Sequence, residues 1–268
     1  MSAPAVQRSA RPTATYAASD VTVRFGGLVA LNGVSLRIEP GTVHGVIGPN
    51  GAGKTTLFNV CCGFVQPQEG SLSWRGETLR KLRPHGLAKL GIARTLQGVG
   101  LFGGLTVLEN VMVGADHGAR AGFASALFGL PRSDADEARL RAHAWETLAE
   151  LGAAAYAHRL PGTLPYPVQK RVALARALAG NPELLLLDEP ASGLSEQEMS
   201  ELGEIVLGLT SRMSIMLVEH HMDLVMRICD EITVLDFGEV IASGPPQEIR
   251  EHPDVIAAYL GDAVAKEA

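Results

Sequence analysis

With 268 residues, 46% of them hydrophobic, the chain can build one large or two small domains around a sizeable core, which excludes disorder for its bulk. A net charge of -6 lacks the basic footprint that duplex nucleic acid requires, so no nucleic-acid partner is expected. No stretch approaches the ~18 to 20 continuous apolar residues of a spanning helix, so the expectation is a soluble chain or one peripheral to a membrane.

Residues 1–19 are rich in Ala, Ser, Thr and Pro and have no apolar core of signal-peptide length; they are expected to form a disordered tail. A transit peptide fits less well, because Pro4 and Pro12 interrupt any amphipathic helix. From Val21 to Ile47 the segments VTVRF, VSLRI and VHGVI alternate with turns at Gly26-Gly27 and Pro40-Gly41, a strand-rich opening. A glycine-rich run, GPNGAGKTT at 48–56, follows the last of them, and Leu57, Phe58 and Val60 then give a helical apolar face. Cys61 and Cys62, adjacent on this helix, and Cys229 are odd in number; small buried residues of a reducing cytosol are expected rather than a disulfide, metal or redox site. After a short strand, SLSW at 71–74, the stretch from Thr106 to Leu160 turns rich in Ala, Leu, Glu and Arg, with a long amphipathic helix predicted over 134–152. Helices are then predicted over 168–179, 196–210 and 222–229, alternating with strands over 184–188, 215–220 and 231–236. Such alternation implies an α/β fold with a parallel sheet covered on both faces.

The run at 48–56 is a phosphate site in its residue types. Gly48, Gly51 and Gly53 let the backbone curl into a nest of inward NH groups, and the helix from Lys54 adds its positive end. Lys54 can reach the terminal phosphates of a nucleotide while the Thr55 hydroxyl holds magnesium; Asn50 and Thr56 complete the candidate nucleotide-binding set. LLLLDEP at 184–190 is a buried strand ending in two acids at the carboxyl edge, where open parallel sheets bind ligands. Without the upstream loop, Asp188 and Glu189 would read as a solvated pair before Pro190. With it, Asp188 is expected to orient magnesium and Glu189 to polarise the attacking water. His220 is expected to end the next strand on the same edge. Its neighbour His221 suggests a metal pair, but adjacent residues on a strand point to opposite faces and chelate poorly.

The order of phosphate loop, helical insertion, helix-opening motif, strand ending Asp-Glu-Pro and strand ending in His resembles the ATP-binding subunits of ABC transporters, across nearly all of residues 20–262. The resemblance implies a P-loop NTPase core with a mainly parallel sheet, an antiparallel β subdomain, and a helical insertion subdomain over about 98–178, with residues 263–268 as a tail. It further implies that Phe25 stacks on adenine, that Gln97 senses the terminal phosphate and magnesium, that Glu189 is the catalytic base, and that His220 is the switch histidine. From the residues alone, Gln97 would be a surface residue and Phe25 plain core. The phrases RTLQ, TVLENVMVG, ASGL and VIAAYLG look like the branched-chain amino-acid importer ATPases, whose relatives handle urea, other amino acids or lipopolysaccharide. Membrane permease subunits, a second ATPase subunit, an indirect link to a substrate-binding protein, and a peripheral place on the cytoplasmic face of the inner membrane are what this likeness implies.

One motif departs from the family. Its signature reads LSGGQ or LPYGQ and touches ATP held by the opposite subunit; here Leu164, Pro165, Tyr166, Pro167 and Val168 stand in its place. Pro167 replaces a glycine whose NH would face the terminal phosphate, and proline has no NH. The helix after it can still form from Val168. A transport-coupled ATPase, with branched-chain or related amino acids as cargo, is therefore the leading expectation. A low-turnover regulatory subunit and a lipid or lipopolysaccharide transport ATPase are the alternatives; a soluble nucleic-acid ATPase and a small-molecule kinase fit less of the chain.

Overall fold

The computed structural model describes residues 15–95, 98–115 and 131–259. Two sheets share it. The smaller is antiparallel, in the order β2-β1-β4-β5, formed by β1 (Tyr16–Phe25), β2 (Leu28–Ile38), β4 (Glu69–Trp74) and β5 (Glu77–Thr78). The larger has six strands in the order β10-β9-β3-β8-β7-β6. In it β3 (Val43–Ile47), β6 (Ile92–Arg94), β7 (Leu184–Asp188), β8 (Ser214–Val218) and β9 (Glu231–Asp236) run parallel, and β10 (Glu239–Gly244) closes the edge antiparallel to β9.

The continuous leucine run of β7 has a simple cause. Leu185 and Leu187 enter one core, while Leu184 and Leu186 enter the other, so both faces of the strand are buried. The first core lies under helices α2 (Val107–Ala115), α3 (Pro131–Glu150), α4 (Tyr166–Leu178), α5 (Glu196–Leu209) and α6 (Met222–Ile228), with α7 (Pro246–Glu251) at its margin. The second joins α1 (Lys54–Cys61) to the antiparallel sheet and includes β1, β2 and β4 side chains together with Val46, Met216 and Val218. Within the helical insertion α2 and α4 approach so closely that a Cβ on Gly114 would lie 1.9 Å from the Arg176 carbonyl oxygen. Buried Asn110 donates to the carbonyls of Phe102, Leu105 and Thr106 and accepts the Phe102 NH, tying the loop before α2. Among the described residues, no helix is long and apolar enough to cross a membrane.

Four expectations change. The tail does not extend to residue 19, because Tyr16–Ser19 already belong to β1 and Tyr16 is fully buried, its hydroxyl donating to the Cys61 carbonyl. A bulge after Ala18, with Asp20 at φ 51°, shifts the alternation so that Tyr16 and Ala18, then Val21 and Val23, all face inward. The helix expected from Val168 starts two residues earlier, at Tyr166, with Pro165 as N-cap and Pro167 inside the first turn, where a missing NH breaks no helical bond. The strand expected to end at His220 ends at Val218. Finally, Phe25 is not core, since half of it is exposed. The three cysteines are free and buried, and burial pushes their thiols up to about 12, which makes them unreactive packing residues.

Candidate functional site

Parallel register brings the site together. Val46 pairs with Val218, and Val218 with Asp188, so the segments that leave β3, β8 and β7 emerge side by side at one carboxyl edge. The Glu219 NH donates to the Val46 carbonyl and the Glu189 NH to the Val218 carbonyl, which locks the three exits together. Open α/β sheets bind ligands at such an edge.

The loop after β3 can be built only with glycine at two points. Gly48 has φ 148° and a Cβ there would fall 2.0 Å from the Leu235 carbonyl oxygen; Gly53 has φ 102° and its Cβ would fall 2.7 Å from the Ala30 carbonyl oxygen. Gly53 caps α1 with no side-chain hydrogen bond, so the first-turn NH groups are not covered by a cap. Lys54 is buried and its ammonium donates to the carbonyls of Gly48 and Pro49 at 2.6 and 2.7 Å, spanning the mouth of the loop. Asn50, Gly51 and Thr55 are exposed and Thr56 is half-buried on the same turn. Phe25 offers an exposed ring at the end of β1, beside the Gly26-Gly27 turn.

Asp188 is the last residue of β7 and Glu189 follows it at φ 45°, a backbone conformation that costs a non-glycine residue ~1 to 3 kcal/mol and recurs at functional sites. Burial, with the neighbouring Glu189 charge, pushes the Asp188 carboxyl up to about 6, against the opposing pull of Arg94. The pocket that Asp188, Glu189 and Lys170 line also holds the Thr95 hydroxyl, which is buried and has no hydrogen-bond partner among the described residues. Thr55 and Asp188 offer hard oxygen donors of the kind magnesium prefers, at an edge rich in carboxylates; the pocket of the Thr95 hydroxyl is lined by no residue of the phosphate loop. Gln97, the third residue expected to serve that ion, lies outside the described residues.

His220 is exposed in the turn after β8, with its Nδ1 3.9 Å from Glu189 Oε1 and 3.7 Å from Glu219 Oε2. The structure therefore brings Glu189 and His220 together. Pro165 and Tyr166 at the start of α4 are exposed, Pro167 and Val168 are half-buried, and Leu164 is buried beneath them. The Gln169 side chain closes this end by donating to the Leu164 carbonyl at 2.9 Å.

Two residues that organise the edge escaped the sequence reading. Glu219 is completely buried and accepts from the NH groups of Ala191, His220 and His221, so it binds the loop after β7 to the turn after β8. Lys170 donates to the Glu189 and Pro190 carbonyls at 3.3 and 2.7 Å and stands over the Tyr166 ring, linking α4 to the same loop. Burial holds its ammonium below the usual lysine range, although Glu219 and Glu189 pull the other way. An acid directly after the apolar run IMLV was the available signal for Glu219; Lys170 gave none, because its partners lie 19 and 20 residues away.

A family model described as ABC transporter matches residues 31–192, and one described as branched-chain amino acid ATP-binding cassette transporter matches residues 239–265. The high-affinity branched-chain amino acid transport ATP-binding protein BraF of Pseudomonas aeruginosa is 42% identical over 247 residues, covering 91% of this chain and 97% of that protein. Its counterpart LivG of Escherichia coli is 42% identical over 245 residues, covering 90% and 95%. Among solved structures, the ADP conformation of an ATP-binding cassette of an ABC transporter superposes with a TM-score of 0.79 at 29% identity, over 92% of this chain and 99% of that chain. A dimeric bacterial ABC transporter cassette gives 0.72 at 25% identity, over 86% and 98%.

Proposed function

The chain belongs to the ABC transporter ATP-binding family, and from that premise we propose that it is the ATP-hydrolysing subunit of an importer for branched-chain or related amino acids. It works at the cytoplasmic face of the inner membrane, beneath permease subunits and beside a second ATPase subunit, while a substrate-binding protein meets the permease. One observation carries the hydrolytic part: the phosphate loop, Asp188, Glu189 and His220 share one sheet edge, with Glu189 and His220 3.9 Å apart. The cargo class is supported by the match at residues 239–265 and by the two relatives.

In this proposal Gly51, Gly53 and the start of α1 cradle the polyphosphate, Asn50 and Thr56 line the loop, and Lys54 turns from the loop carbonyls to the terminal phosphates. Phe25 stacks on adenine. Thr55, Asp188 and Gln97 would hold magnesium, which would neutralise negative charge on the phosphates. Glu189 takes the proton of the attacking water, and His220 holds the terminal phosphate in line. The start of α4, Leu164 to Val168, faces the nucleotide of the partner subunit. There the missing NH of Pro167 favours a second reading, a subunit whose facing site turns over slowly.

The test is a Glu189→Gln variant reconstituted with its permease and binding protein. ATP binding should persist, hydrolysis should fall by ~10² to 10⁴, and ATP-driven leucine uptake should stop. Undiminished hydrolysis would sink the assignment of the base. Hydrolysis without leucine uptake by the unaltered complex would sink the cargo class alone.

A further inference from the structure

We propose that the turn after β8 is a binding site for a zinc-like divalent transition ion, held by His220 and His221 with the carboxylate of Glu219 and lying beside Glu189, and that an ion bound there stops ATP hydrolysis.

The neighbouring histidines would chelate poorly on a strand, but β8 ends at Val218 and the chain turns through Glu219 and His220 into α6, with His221 as its N-cap. Their rings consequently lie on the same side, with centroids 4.2 Å apart and planes tilted by 36°. One ligand atom from each of Glu219, His220 and His221 falls within 4.8 Å of the others. His220 Nδ1 stands 3.7 Å from Glu219 Oε2 and 3.9 Å from Glu189 Oε1. Both distances are too long for hydrogen bonds. They lie close to the ~3.3 Å that two ligands of one tetrahedral ion keep when each bond is ~2.0 to 2.1 Å. Small rotations of two partly exposed rings would close the set.

Glu219 supplies preorganisation. Three backbone NH groups fix its carboxylate, as the hydrogen-bonded carboxylates of metal centres are fixed, and its complete burial prevents it from swinging away. A donor set of two imidazoles and carboxylate oxygens selects zinc, nickel or copper over magnesium, which prefers oxygen ligands and keeps its waters. The site is thus chemically separate from the oxygen donors Thr55 and Asp188. Access is open, because the His220 side chain is 48% exposed.

The inhibitory consequence rests on the hydrolytic reading given above, whereas ion binding does not. An ion on His220 occupies the lone pair that the phosphate-holding imidazole needs, and its charge lies beside Glu189, whose Oε1 is 3.9 Å from His220 Nδ1. Untagged, chelator-treated full chain without nucleotide is titrated with Co²⁺ as the optical probe and then with Zn²⁺ as the competitor. One Co²⁺ per chain with a tetrahedral visible spectrum, displaced by Zn²⁺, is expected, with affinity at least tenfold weaker in His221→Ala and in His220→Gln. In a second arm, Zn²⁺ added to excess magnesium and ATP should slow hydrolysis by the unaltered chain and lose that effect in His221→Ala. Equal Co²⁺ affinity in the unaltered chain and both variants, or no binding at micromolar Co²⁺, would overturn the site. Hydrolysis undiminished with the ion bound would overturn its inhibitory role.

Discussion

Asp188 holds a proton more tightly in the folded chain than in the unfolded one, because burial and the Glu189 charge penalise its ionised form. Its contribution to stability is therefore present below the ordinary carboxylate value of 3.8 and is lost as the pH rises through about 6. Asp188→Asn should raise the melting temperature of the nucleotide-free chain at pH 7 to 8, with the gain shrinking towards pH 4; a pH-independent difference would refute this cause. Lys54 offers a second residue-scale prediction. Without its ammonium the NH nest remains but the polyphosphate loses a charge-assisted donor, a bond of ~1.5 to 3 kcal/mol. Lys54→Ala should thus weaken ATP binding by ~10- to 100-fold. Unchanged affinity by calorimetric titration would show that the phosphates bind elsewhere.

At the scale of the element, the first turn of α4 matters most. Pro167 sits where the helix loses nothing by lacking an NH, so the helix forms, yet nothing at that position can donate to a phosphate oxygen. Removing one preorganised donor to a developing anion costs ~10² to 10³ in rate. Pro167→Gly with Val168→Gln should accordingly speed hydrolysis at the site this helix faces. In a mixed dimer, disabling the partner's base should abolish that gain, and Glu189→Gln should leave it largely intact. Full turnover by a dimer of this chain alone, unresponsive to the double substitution, would mean another group supplies the donor. The contacts from Lys170 to the Glu189 and Pro190 carbonyls sharpen the test, because they connect α4 physically to Glu189, the proposed base.

For the whole molecule, the decisive feature is that the second core spans both sheets: Tyr16, Val23 and Trp74 of the antiparallel sheet pack in the same cluster as Val46, Leu186 and Val218 of the parallel one. The two layers should consequently lose structure together. In a Trp145→Phe background, denaturant unfolding followed by Trp74 fluorescence should coincide with the loss of helical circular dichroism. Leu186→Ala, on that shared face, should shift both probes equally by ~2 to 5 kcal/mol. Separate transitions would show that the sheets unfold independently.

The glycine-rich loop, the acids after LLLL and the alternation of strands with helices were legible because each depends on residues within a few positions: glycine permits the turn, and a buried parallel strand demands an unbroken apolar run. The same locality hid the rest. The bulge at Asp20 restores an inward face to Tyr16 and Ala18, which the pattern of VTVRF alone could not announce. Whether His220 ended a strand or lay in a turn was decided by where β8 runs out of neighbours, and that placed His221 beside it instead of opposite. Glu219 became the buried link between two loops only because register aligned β7 with β8, making a carboxylate the acceptor for three NH groups from two different loops. Sequence determined which residue types were available for the chemistry. Tertiary structure decided which of them meet, since hydrogen bonds and charge interactions act over a few ångströms of space whatever the separation along the chain.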